Sequence, residues 1–250
     1  MQKSARLSTK LGIAAASALA LTFGAVAPAF AADVQLGPGD VVNYQQPNEA
    51  DPNWNYNQWH IGSNDDAQFP LESSVTFQEC SITTLAHQRP GSHVQVLKGF
   101  DIAARPTALG NGNIDAIRAL VESTSITVLQ GNVTIQLPMF EMQGTNVNRF
   151  TTVRSVLLGP GTYNLASLQL EDSRGWFGTS LTVADFYSGM EMSLASGLGY
   201  QSLGVGFTGS ENAVVQSLSF AGNTYFFGTG NCAPAIVAPT PPSSVQTAAK

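Results

Sequence analysis

The sequence predicts a mainly β, single-domain antiparallel β-sandwich or barrel with one short helix at about 113–122. Three observations point that way. The second half of the chain is a succession of short apolar or alternating segments, separated by Gln-Gly-Asn at 130–132, Gly-Pro-Gly at 159–161, Ser-Arg-Gly at 173–175, Ser-Gly at 188–189, Gly-Ser-Glu-Asn at 209–212 and Gly-Asn at 222–223. Strands of that length between Gly/Asn turns mark antiparallel sheets. Charged residues make up only 11% of the chain, with Gly, Ser, Thr, Asn and Gln filling the polar positions, which suits an exported β-protein. Helical periodicity is convincing in a single segment.

Residues 1–31 read as a secretory signal peptide: Lys3, Arg6 and Lys10, an apolar run from Leu11 to Val26 interrupted by Ser17 and Gly24, then Ala29-Phe30-Ala31 as an A-x-A site before Ala32. Cleavage there predicts a protein that is secreted or associated with a bacterial cell envelope. The cleavage site has no cysteine, which argues against a lipoprotein. Three of the eleven cations leave with the leader, so the mature chain sets eight Lys and Arg against seventeen Asp and Glu, a net charge of −9. Such a surface repels nucleic acid and anionic headgroups. No segment is long and apolar enough for a transmembrane helix.

Residues 32–70 are polar and turn-rich, and predict an irregular N-terminal arm with one short strand at Asp40–Tyr44. The β-rich domain spans 71–232, opening with β-like alternation over Ser73–Leu85 and His93–Lys98. The helix at 113–122 has Asn113 as N-cap, Asp115 in its first turn, and Ile114, Ile117, Leu120 and Val121 on one face. Expected strands follow at Ile126–Leu129, Val133–Leu137, Phe150–Leu158, Tyr163–Glu171, Ser180–Phe186, Glu191–Ala195, Gly199–Phe207, Ala213–Phe220 and Thr224–Phe227. A change of parity near Gln201-Ser202 suggests a bulge. The Ala/Pro/Ser/Thr-rich stretch 233–250 predicts a disordered tail. Cys80 and Cys232, an even pair in an exported chain, predict one disulfide closing a loop of about 150 residues.

Candidate binding residues come from aromatic side chains in polar loops. Trp54, Tyr56 and Trp59, followed by His60, lie in a stretch of Asn, Asp and Gln, and Trp176 lies in the turn Arg174-Gly175-Trp176-Phe177. Exposed rings of this kind stack on sugars while amides and carboxylates hold hydroxyls. The competing expectation, which we favour for Trp54 and Trp59, is that the rings fold back and anchor the arm on the sandwich.

Catalytic and metal motifs are sparse. Histidine is limited to His60, His87 and His93; Asp65-Asp66 lacks an EF-hand pattern, and no zinc spacing, Walker loop or dinucleotide fingerprint occurs. No cofactor and no metal are implied. Glu171, Asp172, Asp185 and Glu191 are the carboxylates placed to face one another for glycoside hydrolysis, without a spacing signature.

Two short resemblances supply alternatives. Cys80-Ser-Ile-Thr-Thr-Leu-Ala-His87 resembles, over fewer than ten residues, the Cys…Ala-His segment of trypsin-like serine proteases, which implies a serine-type hydrolase using His87 with Asp101 or Asp115. The chain lacks that family's Gly-Asp-Ser-Gly. Leu198-Gly-Tyr-Gln with Ser202-Leu-Gly-Val-Gly206 is similar, over nine residues, to the mycobacterial MspA-type porins, and implies an envelope pore-forming β-protein. The preferred expectation is a secreted cell-envelope or extracellular binding or structural module without catalysis, recognising a cell-surface glycan or another envelope protein.

Overall fold

The computed structural model describes residues 32–43, 57–63, 74–85, 93–109 and 113–232. The first strands are β1 (Ala32–Leu36), β2 (Val41–Asn43), β3 (Trp59–Ser63), β4 (Val75–Phe77), β5 (Ile82–Thr84), β6 (Val94–Gly99) and β7 (Thr107–Ala108). Helix α1 (Asp115–Ser123) follows, then β8 (Ser125–Gln130), β9 (Val133–Gln143), β10 (Asn146–Ser155), β11 (Gly161–Asn164) and β12 (Leu170–Asp172). Helix α2 (Val183–Ala195) precedes β13 (Leu198–Ser202), β14 (Gly204–Gly209), β15 (Val214–Phe220) and β16 (Asn223–Phe227).

The strands form two mixed sheets packed as a sandwich, without a closed barrel. One runs β1-β16-β15-β5-β4, with β8 joining β15 to β11; the other runs β12-β10-β9-β14-β6-β3-β2, with β13 joining β9 to β7. Between them lies an apolar layer built from alternate positions of the long strands. Val133, Ile135, Leu137 and Met139 of β9 and Val205 and Phe207 of β14 share it with Ile126, Val128, Val215, Leu218 and Phe227 of the other sheet. Period-2 alternation puts every second side chain on that face, and burial of the apolar area drives the two sheets together.

Helix α1 closes one side with Ile114, Ile117, Leu120 and Val121 all buried, the face the sequence marks. The N-cap position is Ile114, one residue after the expected Asn113, and makes no side-chain cap bond; the Asn113 side chain still accepts from the Asp115 backbone N–H at 2.9 Å. Among the described residues no helix is long and apolar enough to cross a membrane.

The structure corrects several element expectations. The stretch 183–195 is helix α2, not two strands, and before it only Leu181 keeps a β-bridge, to Leu170. Thr182 caps it: its hydroxyl accepts from Asp185 N at 3.1 Å, and the Asp185 carboxylate accepts from Thr182 N at 2.9 Å. Phe186, Met190 and Leu194, four residues apart, form its buried stripe. Gly189, which resembles a turn glycine, sits inside this helix because the Phe177 ring lies on it. A Cβ there would stand 2.9 Å from Phe177 Cδ1.

The stretch 32–70, expected to be irregular apart from a strand at Asp40–Tyr44, contains that strand as β2 and contributes β1 and β3 as well. All three take part in parallel pairs, β1 with β16 and β2 with β3, which the antiparallel expectation did not include. Parallel partners are remote in sequence or joined by long connections, so no local pattern announces them. The expected strand 163–171 is interrupted by a 3₁₀ turn at Leu165–Ser167. The parity change near 201–202 is a break at Leu203 between β13 and β14, where the Leu203 N–H donates to Pro138 O at 2.8 Å. The disulfide joins Cys80 to Cys232. The tail 233–250 lies outside the described residues.

Candidate functional site

The expected binding residues separate. Trp54 and Tyr56 lie outside the described residues, as do Asp65, Asp66 and His87. Trp59 and His60 are on β3, with 4% and 5% of their surface exposed, Trp59 in the layer between the sheets. Burial pushes the His60 imidazole pKa down to about 4; the Gln58 carbonyl, 3.2 Å from Nδ1, opposes that shift and the Lys98 charge adds to it.

This has a consequence for stability. Between the ordinary histidine value of 6.5 and about 4 the unfolded chain binds more protons than the folded one, so stability rises with pH there. The full contribution is present above pH 6.5, and about 3 kcal/mol is lost by pH 4. In His60→Gln this part of the acid sensitivity should disappear. Urea midpoints of both proteins at pH 7 and 4.5 measure it, and parallel pH dependences would refute it.

Trp176 is the expected residue that lies at an open cavity. The cavity, of about 480 Å³, runs between α2, the turn 173–178 and β13, lined by Arg149, Trp176, Phe177, Met192, Ser193 and Tyr200 among others. The turn that presents Trp176 is organised by Asp172, itself 4% exposed. Its Oδ1 accepts from Arg174 N at 2.8 Å and also from the Thr151 hydroxyl; its Oδ2 accepts from Phe177 N at 3.1 Å. Phe177 packs edge-on against Phe186 at 5.2 Å and lies 5.4 Å from the Tyr200 ring.

Beneath the cavity a polar row crosses three strands. Arg149 of β10 and Tyr200 of β13 both pair with Glu141 of β9. Glu141 continues the inward parity of Ile135, Leu137 and Met139, so its side chain enters the core and is only 1% exposed. A bare carboxylate there would be very costly. The row answers that cost. Arg149 Nε donates to Oε1 at 2.7 Å and Nη2 to Oε2 at 2.6 Å, while Asn148 Nδ2 donates to Oε1 at 2.6 Å. The single Tyr200 phenolic proton has two acceptors in reach, Ser193 Oγ at 2.9 Å and Glu141 Oε2 at 3.2 Å.

Burial alone would push the Glu141 pKa up, yet the hydrogen bonds from Arg149 and Asn148, the Arg149 charge and the Tyr200 hydroxyl together hold it below the usual carboxylate value. Burial pushes Tyr200 up to about 12, so the phenol stays protonated. Above the row, the Arg149 guanidinium lies 4.0 Å from the centroid of the Trp176 ring.

The pair should respond asymmetrically to mutation. Removing the cation with Arg149→Met strands a carboxylate that is 1% exposed and should cost about 3 kcal/mol or more. Glu141→Gln leaves a guanidinium already 43% exposed, which hydrates instead, and should cost about 1–2 kcal/mol. Chemical denaturation of the two variants checks this; the reverse order would contradict it.

The other carboxylates singled out as an acid–base set have separate tasks. Glu171 pairs with Arg154 at 2.7 Å, Glu191 with Arg118 at 3.4 Å, Asp185 closes the α2 capping box and Asp172 holds the Trp176 turn. Asp101 accepts from Ala103 N, and Asp115 faces Arg118 at 3.7 Å. Among the described residues no group of three His, Cys, Asp or Glu is placed to hold a metal ion. Glu141, Arg149, Ser193 and Tyr200 are absent from the sequence-based candidates. The available signal was a lone charge, Glu141, on the inward parity of an apolar strand. Comparison of the chain with protein-family models, with curated proteins and with solved structures gave no match.

Proposed function

We propose that the chain is an exported binding module of the cell envelope or extracellular medium that holds a glycan or protein segment in the cavity between α2, the turn 173–178 and β13, without transforming it. The observation that carries this reading is the Arg149–Trp176 pair. A cation and an aromatic ring are stacked at 4.0 Å at the cavity and fixed from below by a buried carboxylate. Groups held by a second layer of hydrogen bonds present a preformed surface and lose little freedom on binding.

The same network argues for retention over turnover. Both oxygens of Glu141 are occupied by donors, and Tyr200 keeps its proton up to about pH 12, so neither serves as a base near neutrality. Export through residues 1–31 belongs to the proposal and is supported by the Cys80–Cys232 disulfide, which persists in oxidising compartments.

The test is binding of soluble cell-wall glycans and short peptides to the chain 32–250, read from the Trp176 indole N–H resonance. Ser188→Trp, a substitution at an exposed position of α2 that lines the cavity, should block any ligand while keeping the melting temperature. A ligand whose affinity is unchanged in Ser188→Trp, or turnover of a probe, would refute the reading.

A further inference from the structure

Arg149 has more donors than its partner uses. A guanidinium carries five N–H bonds in a planar fork, and Glu141 takes two of them along the Nε/Nη2 edge. The other edge, Nη1 with the second N–H of Nη2, makes no hydrogen bond to the described residues. It belongs to a side chain that is 43% exposed and lines the cavity. Trp176 covers one face of the fork, so a ligand meets the guanidinium at the free edge. Two parallel N–H bonds at that edge match the two oxygens of a planar monoanion.

We infer that Arg149 receives the C-terminal carboxylate of a bound peptide whose last side chain is apolar, with a basic residue three positions earlier directed to Asp185. This rests on the binding reading above and narrows its ligand. Charge count favours a carboxylate over a phosphate dianion. Glu141 already balances the guanidinium and Asp185 adds a negative charge at the same cavity, so each further negative charge on the ligand is less well met.

The walls favour peptide over sugar. The Trp176 face nearest the site is covered by the guanidinium and is not a free stacking platform, whereas Phe177, Leu181, Leu198 and Met192, the last 69% exposed, offer an apolar lining. Methionine adapts to varied side chains. Asp185 lies eight residues before Ser193 on α2, roughly 12 Å along the helix axis, and three extended peptide residues span about 10 Å. Its carboxyl is held below the ordinary value by the Thr182 hydroxyl and N–H, so it is charged at neutral pH.

The probes are acetyl-Lys-Ala-Ala-Leu with a free carboxylate, the same peptide as its C-terminal amide, and trigalacturonate as a carboxylate on a sugar. Calorimetry and the Trp176 resonance should show the free acid binding about tenfold or more tighter than the amide, the scale of a lost hydrogen bond to a charged group. Trigalacturonate should bind more weakly than the free acid. Because Arg149→Met strands Glu141, the variant used is Glu141→Gln with Arg149→Gln, which removes both charges and keeps amide hydrogen bonding. With its melting transition intact, it should bind acid and amide equally.

Equal binding of acid and amide to the wild type, both lost in Ser188→Trp, would overturn the carboxylate inference and leave the cavity reading standing. Tighter binding of trigalacturonate would replace peptide by acidic glycan. No binding of the free acid at millimolar concentration, or acid–amide discrimination that survives in the double variant, would also overturn it.

Discussion

Replacing Cys80 and Cys232 together by serine should lower the unfolding free energy by about 5 kcal/mol and leave the folded structure unchanged. The bridge spans a sequence separation of 152 residues, and cross-linking removes from the unfolded ensemble the freedom of a loop that long. The folded side has little to lose. The segment after β16 is also held by hydrogen bonds: Thr229 N donates to Gln78 O at 2.9 Å and Gly230 N to Glu79 O at 2.7 Å. Gln35 of β1 adds two more contacts, its Nε2 donating to Gly228 O at 2.8 Å and its Oε1 accepting from Cys232 N at 3.2 Å. The penalty therefore resides in the reduced unfolded chain. Urea unfolding of the serine variant measures it, with an amide spectrum recorded alongside. A loss below about 1 kcal/mol, or a spectrum changed well beyond residues 78–80 and 228–232, would be incompatible with this account.

Trp59→Ala should cost about 4 kcal/mol, within the range for truncating a buried large aromatic. The ring links the two sheets. Trp59 belongs to β3, and its neighbours Tyr225 at 5.1 Å, Phe227 at 5.5 Å and Phe220 at 6.1 Å belong to β15 and β16 of the opposite sheet. Removing it leaves a cavity where the sandwich is closed by aromatic packing, and neighbouring rings fill such a void only in part. The indole also carries a cost. Its Nε1 is buried without a hydrogen-bond partner among the described residues, so Trp59→Phe gives up area but also removes an unsatisfied donor, and should cost only about 1 kcal/mol. Unfolding midpoints of both variants test the pair of values; a Trp59→Ala midpoint equal to wild type would show that the ring contributes nothing to cohesion.

The elements legible in the sequence are those whose pattern is local. Helix α1 is marked by Asn113 and by an apolar face at Ile114, Ile117, Leu120 and Val121. The hairpin β15–β16 is marked by alternation on either side of Ala221-Gly222. Helix α2 was also locally signalled, by Thr182-x-x-Asp185 and the Phe186, Met190, Leu194 spacing. The strand-like alternation of 180–186 and the apparent turn at Ser188-Gly189 masked that signal. Gly189 reads as a breaker until the ring of Phe177 is in place, since the need for a bare Cα there is created by a residue outside the helix.

What the sequence by itself determined is the β-rich class, the pairing of Cys80 with Cys232, helix α1 and most strand positions, because periodicity and composition report directly which side chains seek burial. What only the tertiary structure decided is which strands lie side by side. The parallel edges of β1 and β2, the burial of Trp59 between the sheets, and the row Arg149–Glu141–Tyr200 beneath Trp176 all depend on register between segments far apart in the chain. Register is set by the summed packing of two whole faces, and a one-residue slip would turn Glu141 away from the core. No window of residues around Glu141 contains that sum.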